Sequence, residues 1–100
     1  MGIKNLFRPN PEKHEKRGDD CVRASDWGRA KLAYESALDA LQKGGRHDDE
    51  AVGRIQEKLT RSVETLAREH VETAEDLMGS GYEADARELL ELALNLTPDP

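Results

Sequence analysis

Residues 48–78 read DDEAVGRIQEKLTRSVETLAREHVETAEDLM, and this stretch decides the fold. It contains no proline and only one glycine, Gly53. Its apolar positions step by three or four residues, which is the spacing of one face of an α-helix. The members of this stripe are Val52, Ile55, Leu59, Val63, Leu66, His70, Ala74 and Leu77. The pattern predicts one continuous helix over 48–78.

The opposite face of this helix carries glutamate and arginine at a spacing of four residues. The predicted ion pairs are Glu50–Arg54, Glu57–Arg61 and Glu64–Arg68. They indicate a face that points to solvent. The apolar stripe widens after Val63, so the upper half of the helix is expected to touch fewer neighbours than the lower half.

Three shorter helices, over 11–24, 26–43 and 82–96, are predicted to bury their apolar faces against the long one. Asn10 before Pro11 is a favourable helix start, and Asp26 is placed to cap the second helix. Gly44-Gly45 is expected to end that helix in the left-handed conformation. The connections at 24–26 and 79–81 are short, so the chain should form two antiparallel helical hairpins.

Composition limits the class of protein. Of 100 residues, 36% are apolar and four are aromatic, so a core of Leu, Ala and Val in an all-α fold is expected. The net charge of −6 disfavours nucleic acid and anionic membranes as partners. Cys21 is the single cysteine, which excludes an internal disulfide. No signal peptide or membrane span is evident, and a cytoplasmic location is expected.

The first ten residues form a separate segment before a single domain over 11–100. Ile3, Leu6 and Phe7 are an apolar trio beside Lys4 and Arg8. A membrane or partner anchor is one interpretation. A segment that frays or docks on the helices is favoured, because one helical turn buries little area.

The chain repeats itself at an offset of 56 residues. Small residues match in the two hairpins, and so do several larger ones. Gly18, Ala30 and Ala37 align with Ala74, Ala86 and Ala93, while Tyr34, Leu38 and His14 align with Leu90, Leu94 and His70. Matched small residues let paired helices approach closely, so an internal repeat is predicted.

At these residues the chain resembles the tetratricopeptide repeat family. The first unit has Gly18, the run 26–30 (DWGRA), Tyr34 and Ala37-Leu38, and the second ends at Pro98. The family repeats every 34 residues, so about 22 residues are additional here, close to six helical turns that keep the stripe in register. The resemblance implies a fragment of a right-handed α-α superhelix with a long central helix, and a non-catalytic adaptor or scaffold.

The resemblance also implies a peptide groove lined by the first helix of each hairpin. The corresponding positions are Glu12, Glu15, Asp19, Val22, Arg23, Arg68, Val71, Glu75 and Met78. Because this set is mostly acidic, a basic or mixed basic and apolar peptide is the expected ligand. An ordinary solvated surface is an equally good interpretation.

Other classes of function are less favoured. No catalytic, cofactor-binding or metal-binding residues are predicted, since His14, His70 and Cys21 occupy inward helical positions and the run 47–50 (HDDE) fits helix capping better than a cation site. The main alternative is a self-associating protein, a homodimer paired through Val52, Ile55 and Leu59. A nucleic-acid-binding repeat is opposed by the charge.

Overall fold

The computed structural model describes residues 10–44 and 48–96. The helices in these ranges are α1 (Pro11–Arg23), α2 (Trp27–Lys43), α3 (Asp49–Gly79) and α4 (Glu83–Leu96). The predicted all-α fold is confirmed, and each boundary falls within one residue of its prediction. Interpretations that involve residues 1–9, 45–47 or 97–100 lie outside the described residues.

The helices pack as two hairpins. Helix α1 packs on α2, α3 packs on α4, and α2 joins the hairpins by packing against α3. Helix α3 is continuous over 31 residues, which corresponds to a length of about 46 Å. It is part of the second hairpin and also extends along α2 of the first. The molecule is accordingly elongated, with extents of 59 × 29 × 20 Å.

Capping side chains start the first three helices. Side-chain oxygens of Asn10, Asp26 and Asp48 accept hydrogen bonds from the backbone N–H three residues further on, at 3.1, 3.2 and 3.0 Å. These bonds satisfy N–H groups that have no partner inside a helix. The end of α2 differs from its prediction. Gly44 has a right-handed backbone with φ −75°, so the expected left-handed conformation is wrong for this residue.

The turns inside the two hairpins are copies of each other, 56 residues apart. Each turn has two hydrogen bonds back to the end of the preceding helix, the pattern of a Schellman motif. The bonds run from Ser25 N–H to Val22 O and from Asp26 N–H to Cys21 O, and from Gly81 N–H to Met78 O and from Tyr82 N–H to Leu77 O. The repeat predicted from side-chain spacing thus extends to the backbone.

The residue at the centre of each turn is left-handed. Ser25 has φ 58° and Gly81 has φ 88°. Glycine adopts this conformation without cost, whereas a residue with a Cβ is strained in it. The first turn therefore stores strain that the second turn avoids.

The core lies between α2 and the upper half of α3. Its buried members are Ala30, Tyr34, Ala37, Leu41, Ala51 and Ile55. Helix α2 lies along the upper half of α3, and α4 lies along its lower half, so the expectation that the upper half touches fewer neighbours stays a prediction. In the lower half of α3 and in α4 the buried apolar residues are all alanines: Ala67, Ala74, Ala86 and Ala93.

Gly18 sets the distance between α1 and α2. A Cβ at this position would collide with the ring of Tyr34, coming within 2.7 Å of Cδ1. The pair at the aligned positions of the second hairpin is Ala74 and Leu90, an alanine in place of the glycine and a leucine in place of the larger tyrosine. The larger side chain at one position is compensated by a smaller side chain at the other. This compensation explains how one backbone arrangement accepts both pairs.

Candidate functional site

A cluster of charged side chains joins α1 to α3. The guanidinium of Arg54 donates two hydrogen bonds to the carboxylate of Glu15, at 2.8 and 2.9 Å. Lys58 Nζ lies 2.8 Å from Glu15 Oε2 and 3.0 Å from Asp19 Oδ1. The hydroxyl of Tyr34 donates to Asp19 Oδ1 at 2.6 Å. The cluster therefore links three helices through side chains far apart in sequence.

Glu15 is the centre of this cluster and is only 9% exposed. The hydrogen bonds from Arg54, assisted by Lys58, lower the pKa of this carboxyl to about 2, against the opposing effect of burial. Burial raises the pKa of the Tyr34 hydroxyl, and the neighbouring Asp19 raises it further. At neutral pH the cluster thus contains an ionised Glu15 compensated by two cations and a Tyr34 that acts as a hydrogen-bond donor.

These contacts change the interpretation of two predicted groove residues. Glu15 and Asp19 were expected to attract a basic peptide, but their carboxylates are already bound within the chain. Arg54 was expected to pair with Glu50 on a solvated face, and it instead reaches α1. The expected pair Glu57–Arg61 does form, at 3.1 Å on the surface.

Next to the cluster, a cleft of about 600 Å³ lies between the two hairpins. Its walls come from the end of α1, the start of α2 and the middle of α3. The lining residues are Asp19, Val22, Arg23, Trp27, Tyr34, Lys58, Arg61, Ser62, Glu64, Thr65 and Arg68. Four of the predicted peptide-binding residues are among them: Asp19, Val22, Arg23 and Arg68. Trp27 and Arg61 were assigned other roles from the sequence.

Cations outnumber carboxylates on the wall of this cleft. Besides Lys58, which the cluster engages, the cations are Arg23, Arg61 and Arg68. Arg23 pairs with Asp20 and Arg61 with Glu57, both in exposed positions. Arg68 lies 3.4 Å from the hydroxyl of Thr65, and no ion pair to it is seen within the described part of the chain. The cleft is thus basic although the protein is acidic.

A second, apolar cleft of about 380 Å³ shares Arg68 with the first. It lies between the lower half of α3 and α4, where Val71, Leu90 and Leu94 form its wall. This is where the structure places Val71, another predicted groove residue. Glu12, Glu75 and Met78 are exposed and line neither cleft. The predicted groove residues are therefore divided among the interior, two adjoining clefts and the open surface.

The residues of the self-association hypothesis lie elsewhere. Ile55 is 1% exposed and belongs to the core. Val52 and Leu59 are partly buried and pack against the same core. Helix α2 of the same chain covers Ile55, whereas Val52 and Leu59 keep part of their surface exposed, Leu59 in a recess that α4 also lines.

His14 and Cys21 lie outside both clefts and line a separate recess between α1 and α2. Cys21 packs against the core, and His14 Nδ1 is buried without a hydrogen-bond partner. Within residues 10–44 and 48–96, no three His, Cys, Asp or Glu side chains are grouped in a way that could hold a metal ion. In the same ranges, no helix combines the length and the apolar character needed to cross a membrane.

A scan against models of protein families, a search of curated proteins and a search of solved structures each found no match to this chain. The geometry of the two clefts is therefore the basis for assigning a function.

Proposed function

We propose that this protein is a non-catalytic interaction module that holds a short segment of another protein in the cleft between its hairpins. The observation that carries the proposal is the 600 Å³ cleft, in which the half-buried Trp27 stands beside three arginines. Concave sites with an aromatic anchor and a few charged groups are typical of recognition. The resemblance to the tetratricopeptide repeat family, whose helical hairpins line a superhelical peptide groove, supports the same function.

The proposal favours binding over catalysis for this cleft. Its polar groups are arginines, a lysine, carboxylates and hydroxyls, and the lining group whose pKa is most shifted, the Tyr34 hydroxyl, donates its hydrogen bond to Asp19. Serine and threonine in the lining donate to backbone carbonyls of their own helix, at 3.0 Å for Ser62 and 2.7 Å for Thr65. We therefore assign binding to this cleft. The cytoplasmic location stays a prediction of the sequence.

Self-association through Val52, Ile55 and Leu59 is the second candidate, and its use of Ile55 would require α2 to leave its place on α3. No contact of the described residues favours that rearrangement. Light scattering provides a direct check, because a stable dimer would double the molar mass.

The proposal is tested by selecting a random displayed peptide library on the immobilised protein. Thr65→Trp fills the cleft, while Thr60→Trp makes the same change at an exposed position of α3 outside it. We expect selected peptides to bind the wild type and Thr60→Trp alike and to lose roughly tenfold or more in affinity for Thr65→Trp. Circular dichroism checks that both variants are folded. If selection enriches nothing, or if binding ignores Thr65→Trp, the proposed function is wrong.

A further inference from the structure

The charges on the wall of the cleft are not equally accessible to a ligand. Asp19 is bound by Lys58 at 3.0 Å and by the Tyr34 hydroxyl at 2.6 Å. Glu15 lies behind it, engaged by Arg54. Glu64 is the other acidic residue that lines the cleft, and no ion pair of Glu64 with a residue across the cleft is seen in the described part of the chain. Of the two carboxylates on the wall of the cleft, Asp19 is thus engaged inside the fold.

The arginines are in the opposite position. The pairs Arg23–Asp20 and Arg61–Glu57 lie on exposed helix surfaces, where ion pairs are weak and exchange readily. The guanidinium of Arg68 donates to the Thr65 hydroxyl, and no carboxylate is paired with it in the described part of the chain. A guanidinium donates two parallel hydrogen bonds to a carboxylate, so each of these arginines can bind an acidic group of a partner.

Apolar surface lies on both sides of this arginine group. Val22 and Trp27 stand at one side, and the apolar cleft with Val71 and Leu94 begins at the other. Leu94 is 70% exposed, a large fraction for a leucine next to a cavity. A ligand that fits must therefore bring apolar side chains next to its charges.

From this arrangement we infer that the partner segment is acidic and carries aromatic or aliphatic residues beside its carboxylates. The inference rests on the proposed function and replaces the basic peptide expected from the sequence. The net charge of −6 disfavours an acidic partner at long range. At physiological salt the screening length is about 8 Å, so the charges of the cleft itself outweigh distant acidic residues.

The test uses three synthetic peptides of equal length: one with alternating Glu and Leu or Phe, one with Lys in place of Glu, and one with Ser in place of the apolar residues. Trp27 is the only tryptophan and lines the cleft, so its emission reports occupancy. At physiological salt we expect the acidic apolar peptide to bind roughly tenfold or more tightly than either of the others.

Charge reversal locates the interaction. Arg61→Glu and Arg68→Glu should each weaken binding of the acidic peptide roughly tenfold, because each replaces an attraction by a repulsion. Arg17→Glu is the matched control, since Arg17 is exposed on α1 and lines a different recess, beside Cys21. It should leave the affinity unchanged.

Two results would overturn the inference. Tighter binding of the Lys peptide, or equal loss in Arg17→Glu and Arg68→Glu, would show that the arginines do not select the ligand. Failure of the acidic peptide to bind would also end it. The library selection described above decides separately whether the cleft binds peptides of any kind.

Discussion

The two hairpins share one turn geometry and have different interiors. In the first, Tyr34 and Leu41 are almost completely buried and pack with Ile55 of α3, and an ion-pair cluster crosses from α1 to α3. In the second, the fully buried apolar residues are alanines, while Leu92 is 51% exposed and Leu94 70% exposed. The same backbone template thus supports a closed core in one place and an open one in the other.

The difference shows what a third helix adds to a hairpin. Helices α1 and α2 are completed by the upper half of α3, so three surfaces meet around Ile55. The lower half of α3 and α4 have only each other, and two helices cannot cover all their leucines. Regions with few buried contacts open first, so the second hairpin should exchange its amide hydrogens faster than the first.

The largest expected effect is loss of the closed core. Ile55→Ala removes a side chain that is 1% exposed and should lower the free energy of unfolding by about 4 kcal/mol. Leu94→Ala, at an exposed site in the second hairpin, should change it by less than about 0.5 kcal/mol. Urea unfolding measures both. Comparable losses would mean that the two interiors are equally well packed.

A slightly smaller effect is expected from the contact between α1 and α2. Gly18→Ala places a Cβ against the Tyr34 ring and should cost about 3 kcal/mol. Adding Tyr34→Leu reproduces the Ala74 and Leu90 pair of the second hairpin and should recover part of the loss. The double variant is measured by urea unfolding beside both single ones. If the double variant were no more stable than Gly18→Ala, side-chain volumes at positions 18 and 34 would not compensate each other.

The ion-pair cluster predicts a pH dependence specific to the first hairpin. Because the pKa of Glu15 is lowered from 4.5 to about 2, its stabilisation is complete above pH 4.5 and is lost as the pH falls through about 2. At neutral pH, Glu15→Gln should cost about 2 to 3 kcal/mol. The difference from wild type should shrink as the pH falls over this range. Thermal unfolding measures it, with exposed Glu64→Gln as the control, and a difference independent of pH would disprove the assignment.

The smallest expected effects have opposite signs in the two turns. Ser25→Gly removes the Cβ from a residue in the left-handed conformation. The loss of this backbone strain should stabilise the protein by about 1 kcal/mol. Gly81→Ser introduces the same strain and should destabilise it by about 1 kcal/mol. Melting temperatures of the two variants and the wild type suffice. Shifts in the same direction would mean that the turns are not equivalent.

Much of the fold could be predicted because its signals are local. The apolar spacing over 48–78, the capping side chains and the short connections act within a few residues of themselves, and each predicted helix boundary was accurate to one residue. The internal repeat was also visible, since Gly18 and Tyr34 and their counterparts keep their spacing. The misjudged end of α2 involved a single backbone conformation at Gly44.

The site was harder to predict because its contacts are not local. Glu15 and Arg54 are 39 positions apart, and Lys58 is 43 positions from Glu15. The rule for neighbours four residues apart pairs Arg54 with Glu50, whereas Arg54 donates two hydrogen bonds to the more buried Glu15. In the sequence, Trp27 is a member of the repeat motif over 26–30 (DWGRA). Its place at the cleft depends on how α1 and α3 lie side by side, which no local pattern encodes.

The unbroken course of α3 fixes the angle between the hairpins as well as their distance. Each residue of an α-helix advances it by about 1.5 Å and rotates it by about 100°. One residue inserted between Ile55 and Ala74 would swing the second hairpin by about 100° around the α3 axis. Seven residues would nearly restore the angle while adding about 10 Å of separation. The length of this segment can therefore change only in whole turns if both clefts are to face the same partner.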